Sequence, residues 1–195
     1  MTDRYAHRDG YTYPDSPVLR NKAGHTDQGA LDKFERLSVT NRMVEDPPAG
    51  NFDYLHLKAI HHHLFQDVYD WAGEERNVSI SKGQTRFATP CFINQAVTEL
   101  FNRLANEDHL RTAPPELFVE RAAYYALELN VAHPFREGNG RAIRYFLSLL
   151  AQNADYEIDE EVLKGGWLEA CTKGMLDDGL LMRNVLAHAL IILED

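Results

Sequence analysis

The sequence predicts an all-α fold that is interrupted by one short β-hairpin. Apolar residues recur at spacings of three and four in most of the chain, which is the period of helices that bury one face. Only residues 77–87 clearly break this period, because Val78 and Ile80 alternate with polar residues. A length of 195 residues with 44% hydrophobic residues suits a single domain, residues 1–195, with a full core.

Helix boundaries follow from capping residues and from the ends of the apolar pattern. Asp53 is suited to cap a helix whose apolar face includes Leu57, Ile60 and Leu64. Pro115 suits the first turn of a later helix, since its missing N–H would have no partner there. The predicted helices are residues 28–43, 53–73, 93–104, 115–133, 141–153, 160–176 and 179–193.

The hairpin has its predicted turn at residues 82–85, Lys-Gly-Gln-Thr, which is followed by Arg86 and Phe87. Small and polar residues of this kind separate two short strands in many hairpins. Taken alone, the segment is as compatible with an ordinary surface hairpin as with a binding element.

Composition and charge exclude several classes of protein. The net charge of −10 argues against loose electrostatic binding to nucleic acid. Cys91 and Cys171 lie 80 positions apart with no Cys-x-x-Cys pattern, which argues for a reducing compartment and against a disulfide scaffold. The sequence has no apolar run of 18 residues and no basic-then-apolar leader, so neither a membrane span nor a cleaved signal peptide is expected.

Three consecutive histidines, His61, His62 and His63, invite a zinc hypothesis. Neighbouring residues on a helix point about 100° apart, so the three side chains cannot bind one ion together. The sequence also lacks the His-Glu-x-x-His pattern. Packing and surface roles are therefore the preferred interpretation of these histidines.

Residues 133–144 contain the most informative segment, His-Pro-Phe-Arg-Glu-Gly-Asn-Gly-Arg followed by Arg144. Pro134 disfavours the α conformation at the residue before it, so a helix is expected to end near His133. Gly138 and Gly140 permit positive φ, and Asn139 between them is a good helix N-cap. The segment therefore predicts a turn at a helix N-terminus, where N–H groups and the helix dipole favour an anion.

Charged side chains in the same segment strengthen this interpretation. Arg141 and Arg144 lie on one face of the first helical turn, where the helix dipole disfavours cations unless an anion is bound. Each feature alone is typical of an ordinary loop or surface ion pair. Together with His133 and Glu137, they favour a magnesium-bound polyphosphate that is attacked by a hydroxyl. The segment is neither a Walker A loop nor a dinucleotide-binding fingerprint.

The chain resembles the Fic family, whose signature is His-x-Phe-x-Asp/Glu-Gly-Asn-Gly-Arg-x-x-Arg. Every fixed position of that signature is matched between His133 and Arg144. The segment 64–73 resembles the part of these proteins that leads into their β-hairpin flap, here about residues 77–90. The opening residues 11–21 resemble the start of small bacterial Fic toxins.

The resemblance implies transfer of AMP from ATP to a Tyr, Thr or Ser hydroxyl of a protein. His133 is then the catalytic base and Glu137 the Mg²⁺ ligand. The resemblance assigns nucleotide binding to Phe135, Arg136, Gly138, Asn139, Gly140, Arg141, Arg144, Lys82 and Gly83. It assigns target docking to Gln84, Thr85, Arg86 and Phe87.

Regulation and partners are also implied by the resemblance. Many Fic proteins are inhibited by a Ser/Thr-x-x-x-Glu-Gly/Asn helix. Here only Thr112 and Glu116 have that spacing, and Leu117 follows where Gly or Asn is required. A separate small antitoxin is therefore expected. This chain itself is expected in the bacterial cytoplasm, unless it is secreted into a host. The B subunits of DNA gyrase and topoisomerase IV are plausible targets.

Two alternative functions stay compatible with the sequence. The first is transfer of another group, such as a phosphoryl group or a different nucleotide monophosphate. Gly138 favours nucleotidyl transfer, because the phosphorylating variant of the family has Lys at that position. The second is a catalytically silent binding module, which would have no need of both His133 and Glu137.

Overall fold

The computed structural model describes residues 10–83, 85–174 and 178–193. In these ranges the chain forms mostly α-helices, as predicted. They are α1 Gln28–Met43, α2 Tyr54–Phe65, α3 Pro90–Asn106, α4 Pro115–Ala132, α5 Asn139–Gln152, α6 Glu160–Gly174 and α7 Leu180–Ala189. The described residues also include a 3₁₀ segment at Asp108–Leu110 and two antiparallel strand pairs. They are β1 Ser81–Lys82 with β2 Thr85–Arg86, and β3 Tyr156–Ile158 with β4 Leu190–Ile192.

Helix α5 lies at the centre of the core, because it packs against α2, α4 and α6. Its apolar residues Ile143, Phe146 and Leu150 are fully buried. Helix α4 buries Phe118 and Leu129 on the face that the sequence predicted. The two helices that flank residues 133–138 are therefore fixed by tertiary packing, which holds the loop between them.

Helix α2 begins as predicted and ends earlier than predicted. The carboxylate of Asp53 accepts a hydrogen bond from the N–H of His56 at 2.8 Å, which confirms Asp53 as the N-cap. The helix ends at Phe65 rather than near Gly73, so the predicted boundary was wrong. Past Phe65 the chain turns and stacks the ring of Tyr69 on that of Trp71, with centroids 4.3 Å apart. Burial of these aromatic rings favours the turn over further helix.

The C-terminal end of the described chain also differs from the prediction. A helix was predicted for residues 179–193, but α7 ends at Ala189 and residues 190–192 form β4. The run Leu-Ile-Ile fits either a helix or a strand by its apolar pattern alone. The backbone of β3 provides hydrogen-bond partners for residues 190–192. This tertiary pairing favours a strand over a helix there. Of the helix predicted at 160–176, residues 175 and 176 lie outside the described residues.

No helix among the described residues has the length and apolar character needed to cross a membrane.

Candidate active site

His133 lies at the C-terminus of α4 in the left-handed conformation, with φ 46° and ψ 62°. Its backbone N–H donates the last hydrogen bond of the helix, to the carbonyl of Leu129 at 2.9 Å. The side-chain Nδ1 donates to the carbonyl of Asn130 at 3.0 Å. Because a neutral imidazole has one N–H, this bond puts the proton on Nδ1 and the basic lone pair on Nε2.

The surroundings of His133 keep the imidazole neutral. The pKa of His133 is lowered to about 3, mainly by burial and also by the positive charges of Arg76 and Lys82. Phe87 stacks on the imidazole with ring centroids 3.8 Å apart. Because the ring is enclosed, the pKa of His133 lies below the ordinary histidine value of about 6.5.

Asn139 fixes the loop between α4 and α5. Its Oδ1 accepts from the N–H of Phe135 at 2.8 Å, and its Nδ2 donates to the carbonyl of Phe135 at 2.7 Å. The prediction that Asn139 is the N-cap was wrong. Gly138 occupies that position, and Asn139 is the first residue of α5. The Asn139 side chain extends back across the loop instead, because both of its polar atoms find backbone partners there.

The two glycines of the segment have different roles. Gly138 has φ 83°, and a Cβ added there would lie 2.3 Å from Cζ of Phe65. Gly140 lies inside α5 without a positive φ, so the positive φ that glycine permits is used at Gly138 and not at Gly140. A small residue is favoured there by Trp167 of α6, whose Nε1 would be 3.1 Å from an added Cβ.

His61 of α2 packs against the loop, and the sequence did not predict this contact. Its ring stacks on the buried ring of Phe135 with centroids 3.9 Å apart. Its Nδ1 accepts from the N–H of Gly73 at 2.8 Å, so Nε2 has the proton and donates to the carbonyl of Glu137 at 2.9 Å. Burial lowers the pKa of His61 to about 3. Nothing in the sequence relates position 61 to position 137.

The other histidines of this region bond to backbone carbonyls, as the packing interpretation predicted. Nδ1 of His62 donates to Ala72 at 3.0 Å, and Nε2 of His63 donates to Arg42 at 2.8 Å. His56, nearby in the sequence, bonds to the carbonyl of Pro48 through Nε2 at 3.0 Å.

Glu137 offers a carboxylate at the start of α5. Its Oε1 accepts from the N–H of Gly138 at 3.0 Å and lies 3.7 Å from Nη2 of Arg141. The described residues contain no group of three His, Cys, Asp or Glu side chains that could hold a metal ion. A single carboxylate fits Mg²⁺, which keeps several waters and takes further oxygens from phosphates.

Two arginines of α5 line the same end of the loop. Nη2 of Arg141 is 2.6 Å from Oε1 of Glu35. The guanidinium of Arg144 lies over Trp167, 5.4 Å from the ring centroid. Burial lowers the pKa of Arg144, and the charge of Arg141 adds to this shift. Two cations so close together, and partly removed from water, favour binding of a polyanion.

The hairpin lies beside His133, with register Ser81 to Arg86 and Lys82 to Thr85. Lys82, Gly83 and Arg86 are exposed. Gln84, which was predicted to dock the target, lies outside the described residues. Phe87 contacts His133 directly through its stacked ring.

Arg76 connects the hairpin to the end of α4, and the sequence gave no sign of this role. The side chain is 1% exposed. Its guanidinium donates to the carbonyls of Ala132, His133, Val78 and Ala88 at 2.6–3.2 Å. The C-terminus of a helix favours a cation, so α4 and Arg76 stabilise each other. Arg136, predicted to bind nucleotide, is also buried, and its Cζ is 5.9 Å from the ring centroid of Tyr11.

The fold and this site define a helical protein with a glycine-containing turn at a helix N-terminus and a neutral histidine beside it. Comparison with known proteins assigns the family. The model of the Fic/DOC family matches residues 51–151, and the chain belongs to this family.

Relatives cover most of the chain. Probable protein adenylyltransferase y4lH of Sinorhizobium fredii is 45% identical over 80% of this chain and 82% of its own length. Probable protein adenylyltransferase Fic of Salmonella typhimurium is 36% identical over 97% of this chain and 96% of its own length. Protein adenylyltransferase VbhT of Bartonella schoenbuchensis is 43% identical over 77% of this chain, which corresponds to 32% of that protein.

Several solved structures have the same fold as this chain. The BepC protein of Bartonella tribocorum with bound AMPPNP has a TM-score of 0.86 at 28% identity, covering 94% of this chain and 97% of that chain. The N-terminal Fic domain of a Bartonella quintana effector with bound ADP has a TM-score of 0.82 at 26% identity, covering 94% and 95%.

Gly138→Ala is predicted to destabilise the protein. A positive φ costs an alanine about 1–2 kcal/mol, and overlap with Phe65 adds about 1–3 kcal/mol. Gly83→Ala is the matched control, since Gly83 has φ 61° and an added Cβ would meet no described atom within 4 Å. Urea unfolding should show a loss of about 3 kcal/mol for the first variant and about 1 kcal/mol for the second. Equal losses would refute the proposed overlap.

The low pKa of His133 predicts a pH-dependent stability. The folded pKa of about 3 lies below the usual value near 6.5, so the unfolded chain binds a proton first as the pH falls. The contribution of neutral His133 to the free energy of unfolding is complete above pH ~6.5 and is lost toward pH ~3. The loss is at most about 1.4 kcal/mol per pH unit. In urea unfolding, wild type should therefore lose stability with acid more steeply than His133→Ala. Parallel curves would contradict a buried, neutral His133.

Proposed function

We infer that this protein is a protein adenylyltransferase, which moves AMP from ATP to a hydroxyl group of a target protein. The observation that carries this inference is the hydrogen bond from Nδ1 of His133 to Asn130. It puts the proton on Nδ1, so the basic lone pair is on Nε2, beside a turn whose N–H groups and arginines suit a polyphosphate. The relatives named protein adenylyltransferase match over most of the chain, and ATP is the co-substrate.

In the proposed reaction, Nε2 of His133 takes the proton from a Tyr, Thr or Ser hydroxyl as its oxygen attacks the α-phosphorus. The new P–O bond forms while the bond from the α-phosphorus to the bridging oxygen breaks. Pyrophosphate leaves with the electrons of that bond, and His133 holds the proton until it returns to solvent. His133 is neutral at neutral pH, and the neutral imidazole is the form that can accept a proton.

We propose that Glu137 holds Mg²⁺, which would neutralise charge on the phosphate oxygens. The N-terminus of α5, at Gly138 to Gly140, would offer backbone N–H groups to the phosphates. Arg141 would contact the β-phosphate region and Arg144 the γ-phosphate, since the planar guanidinium forms paired hydrogen bonds to phosphate. The partial burial of Arg144 supports this assignment.

We propose that the hairpin holds the target beside His133. Strands β1 and β2 are short, and residues 82, 83 and 86 are exposed. An extended target segment could pair with such an exposed edge through main-chain hydrogen bonds. The stack of Phe87 on His133 and the hydrogen bonds from Arg76 would keep the hydroxyl of the bound target aligned with Nε2 of His133.

We also propose that this chain, as one Fic domain, is the toxin of a toxin–antitoxin pair. The antitoxin would insert a glutamate beside Arg144 and occupy the position of the γ-phosphate. The B subunits of DNA gyrase and topoisomerase IV are the proposed targets. The similarity to probable protein adenylyltransferase Fic of Salmonella typhimurium, which covers 96% of that protein, supports a short bacterial enzyme of this kind.

Labelled nucleotide tests the proposed reaction. ATP labelled on the α-phosphate should label a target protein in a bacterial lysate, and ATP labelled on the γ-phosphate should not. His133→Ala should reduce transfer by at least about 100-fold yet bind ATP normally, because the base acts on the hydroxyl. Label from the γ-phosphate would indicate phosphoryl transfer. Absence of label from both, with ATP bound, would indicate a silent binding module.

Growth assays test the toxin proposal. Expression of this chain in bacteria should inhibit growth, and His133→Ala should abolish the inhibition. Co-expression of a neighbouring small protein with Ser/Thr-x-x-x-Glu-Gly/Asn should restore growth, and replacing its glutamate should remove the protection. Loss of one charge-assisted contact of about 1.5–3 kcal/mol weakens binding tenfold or more. Normal growth with active, soluble enzyme and no partner would refute this proposal.

A further inference from the structure

Glu35 is a buried acid on α1 that contacts the site from 106 positions away in the sequence. Its side chain is 6% exposed. One oxygen, Oε1, accepts from Nη2 of Arg141 at 2.6 Å. The other, Oε2, accepts from the hydroxyl of Tyr69. Both oxygens of a nearly inaccessible carboxylate are therefore occupied, and one of them by a motif arginine.

Arg141 lies between two carboxylates. Its Nη2 is 2.6 Å from Glu35 but 3.7 Å from Oε1 of Glu137. Its Cζ also lies over the ring of Phe65 at 4.6 Å from the centroid. The shorter contact to Glu35 and the ring contact fix the guanidinium in one place. Glu137 is thus close to a cation without being in hydrogen-bond contact with it.

We propose that Glu35 is a positioning residue of the nucleotide site, which holds Arg141 at a distance that leaves the Glu137 carboxylate available to a divalent cation. This inference rests on the proposed roles of Arg141 and Glu137. If Arg141 had no other acidic partner, its nearest one would be Glu137. A direct ion pair there would compete with the metal ion for the same oxygens.

The surroundings of Glu35 fit a fixed charge. A buried carboxylate is costly unless its oxygens are paired, and Arg141 and Tyr69 supply both pairs. Tyr69 is itself held by its stack on Trp71 at 4.3 Å. The turn after α2 therefore fixes Tyr69, Tyr69 helps to fix Glu35, and Glu35 fixes Arg141.

Calorimetric binding of AMPPNP across a series of Mg²⁺ concentrations tests this proposal. Glu35→Gln keeps the shape of the side chain and removes its charge. Changes beside a metal ligand typically cost about 10–100-fold in metal affinity, so the Mg²⁺ concentration for half-maximal nucleotide affinity should rise about tenfold. Tyr69→Phe is the matched control, since it removes one hydrogen bond to Glu35 but keeps the charge. It should shift the midpoint less than about threefold.

Glu137→Gln separates the failure of this proposal from failure of the metal assignment. If Glu137→Gln does not alter the Mg²⁺ midpoint, Glu137 is not the ligand and the proposed metal role fails. If Glu137→Gln alters the midpoint but folded Glu35→Gln does not, Glu35 has only a structural role and this inference is overturned. Should Glu35→Gln fail to fold, Glu35→Asp replaces it. It withdraws the carboxylate from Arg141, and an unchanged midpoint would equally overturn the inference.

Discussion

The two hydrogen bonds between the side chain of Asn139 and the backbone of Phe135 determine the shape of the active-site loop. They close a small ring across residues 135–139 at 2.7 and 2.8 Å. This ring directs Phe135 into the core, where it stacks on His61. His61 in turn bonds to the carbonyl of Glu137, and the next residue, Gly138, begins α5. The positions of the Glu137 carboxylate and of the backbone N–H groups at the start of α5 therefore depend on one amide side chain.

Buried polar side chains hold the rest of the site in the same way. Arg76 joins the hairpin to the end of α4, and Glu35 fixes Arg141 from α1. Each of these groups would be costly to bury unpaired, and each has backbone or side-chain partners in the fold. In such a low-dielectric setting, fixed dipoles and charges act more strongly on a developing negative charge than they would in water. Supporting residues far from the motif in sequence thus hold parts of the motif in place.

The sequence predicted what depends on local pattern and failed where tertiary contacts decide. The Asp53 cap and the apolar face of α3 follow from short-range rules, and the structure confirms both. The motif identified a continuous set of site residues because they lie within twelve positions. Asn139 was assigned as a cap because nothing in the sequence shows that its side chain extends back to Phe135. Glu35 and Arg76 were missed because their partners are distant in the sequence or are backbone carbonyls.

The hydrogen bonds of Asn139 predict a site that is assembled before nucleotide binds, and amide hydrogen exchange by NMR tests this prediction most directly. The N–H of Phe135, bonded to Asn139, should exchange slowly in the nucleotide-free protein, at a rate close to that of amides in the middle of α5. Addition of AMPPNP and Mg²⁺ should change that rate little. Rapid exchange at Phe135 that becomes slow only with nucleotide would contradict the account, since the ligand would then order the loop.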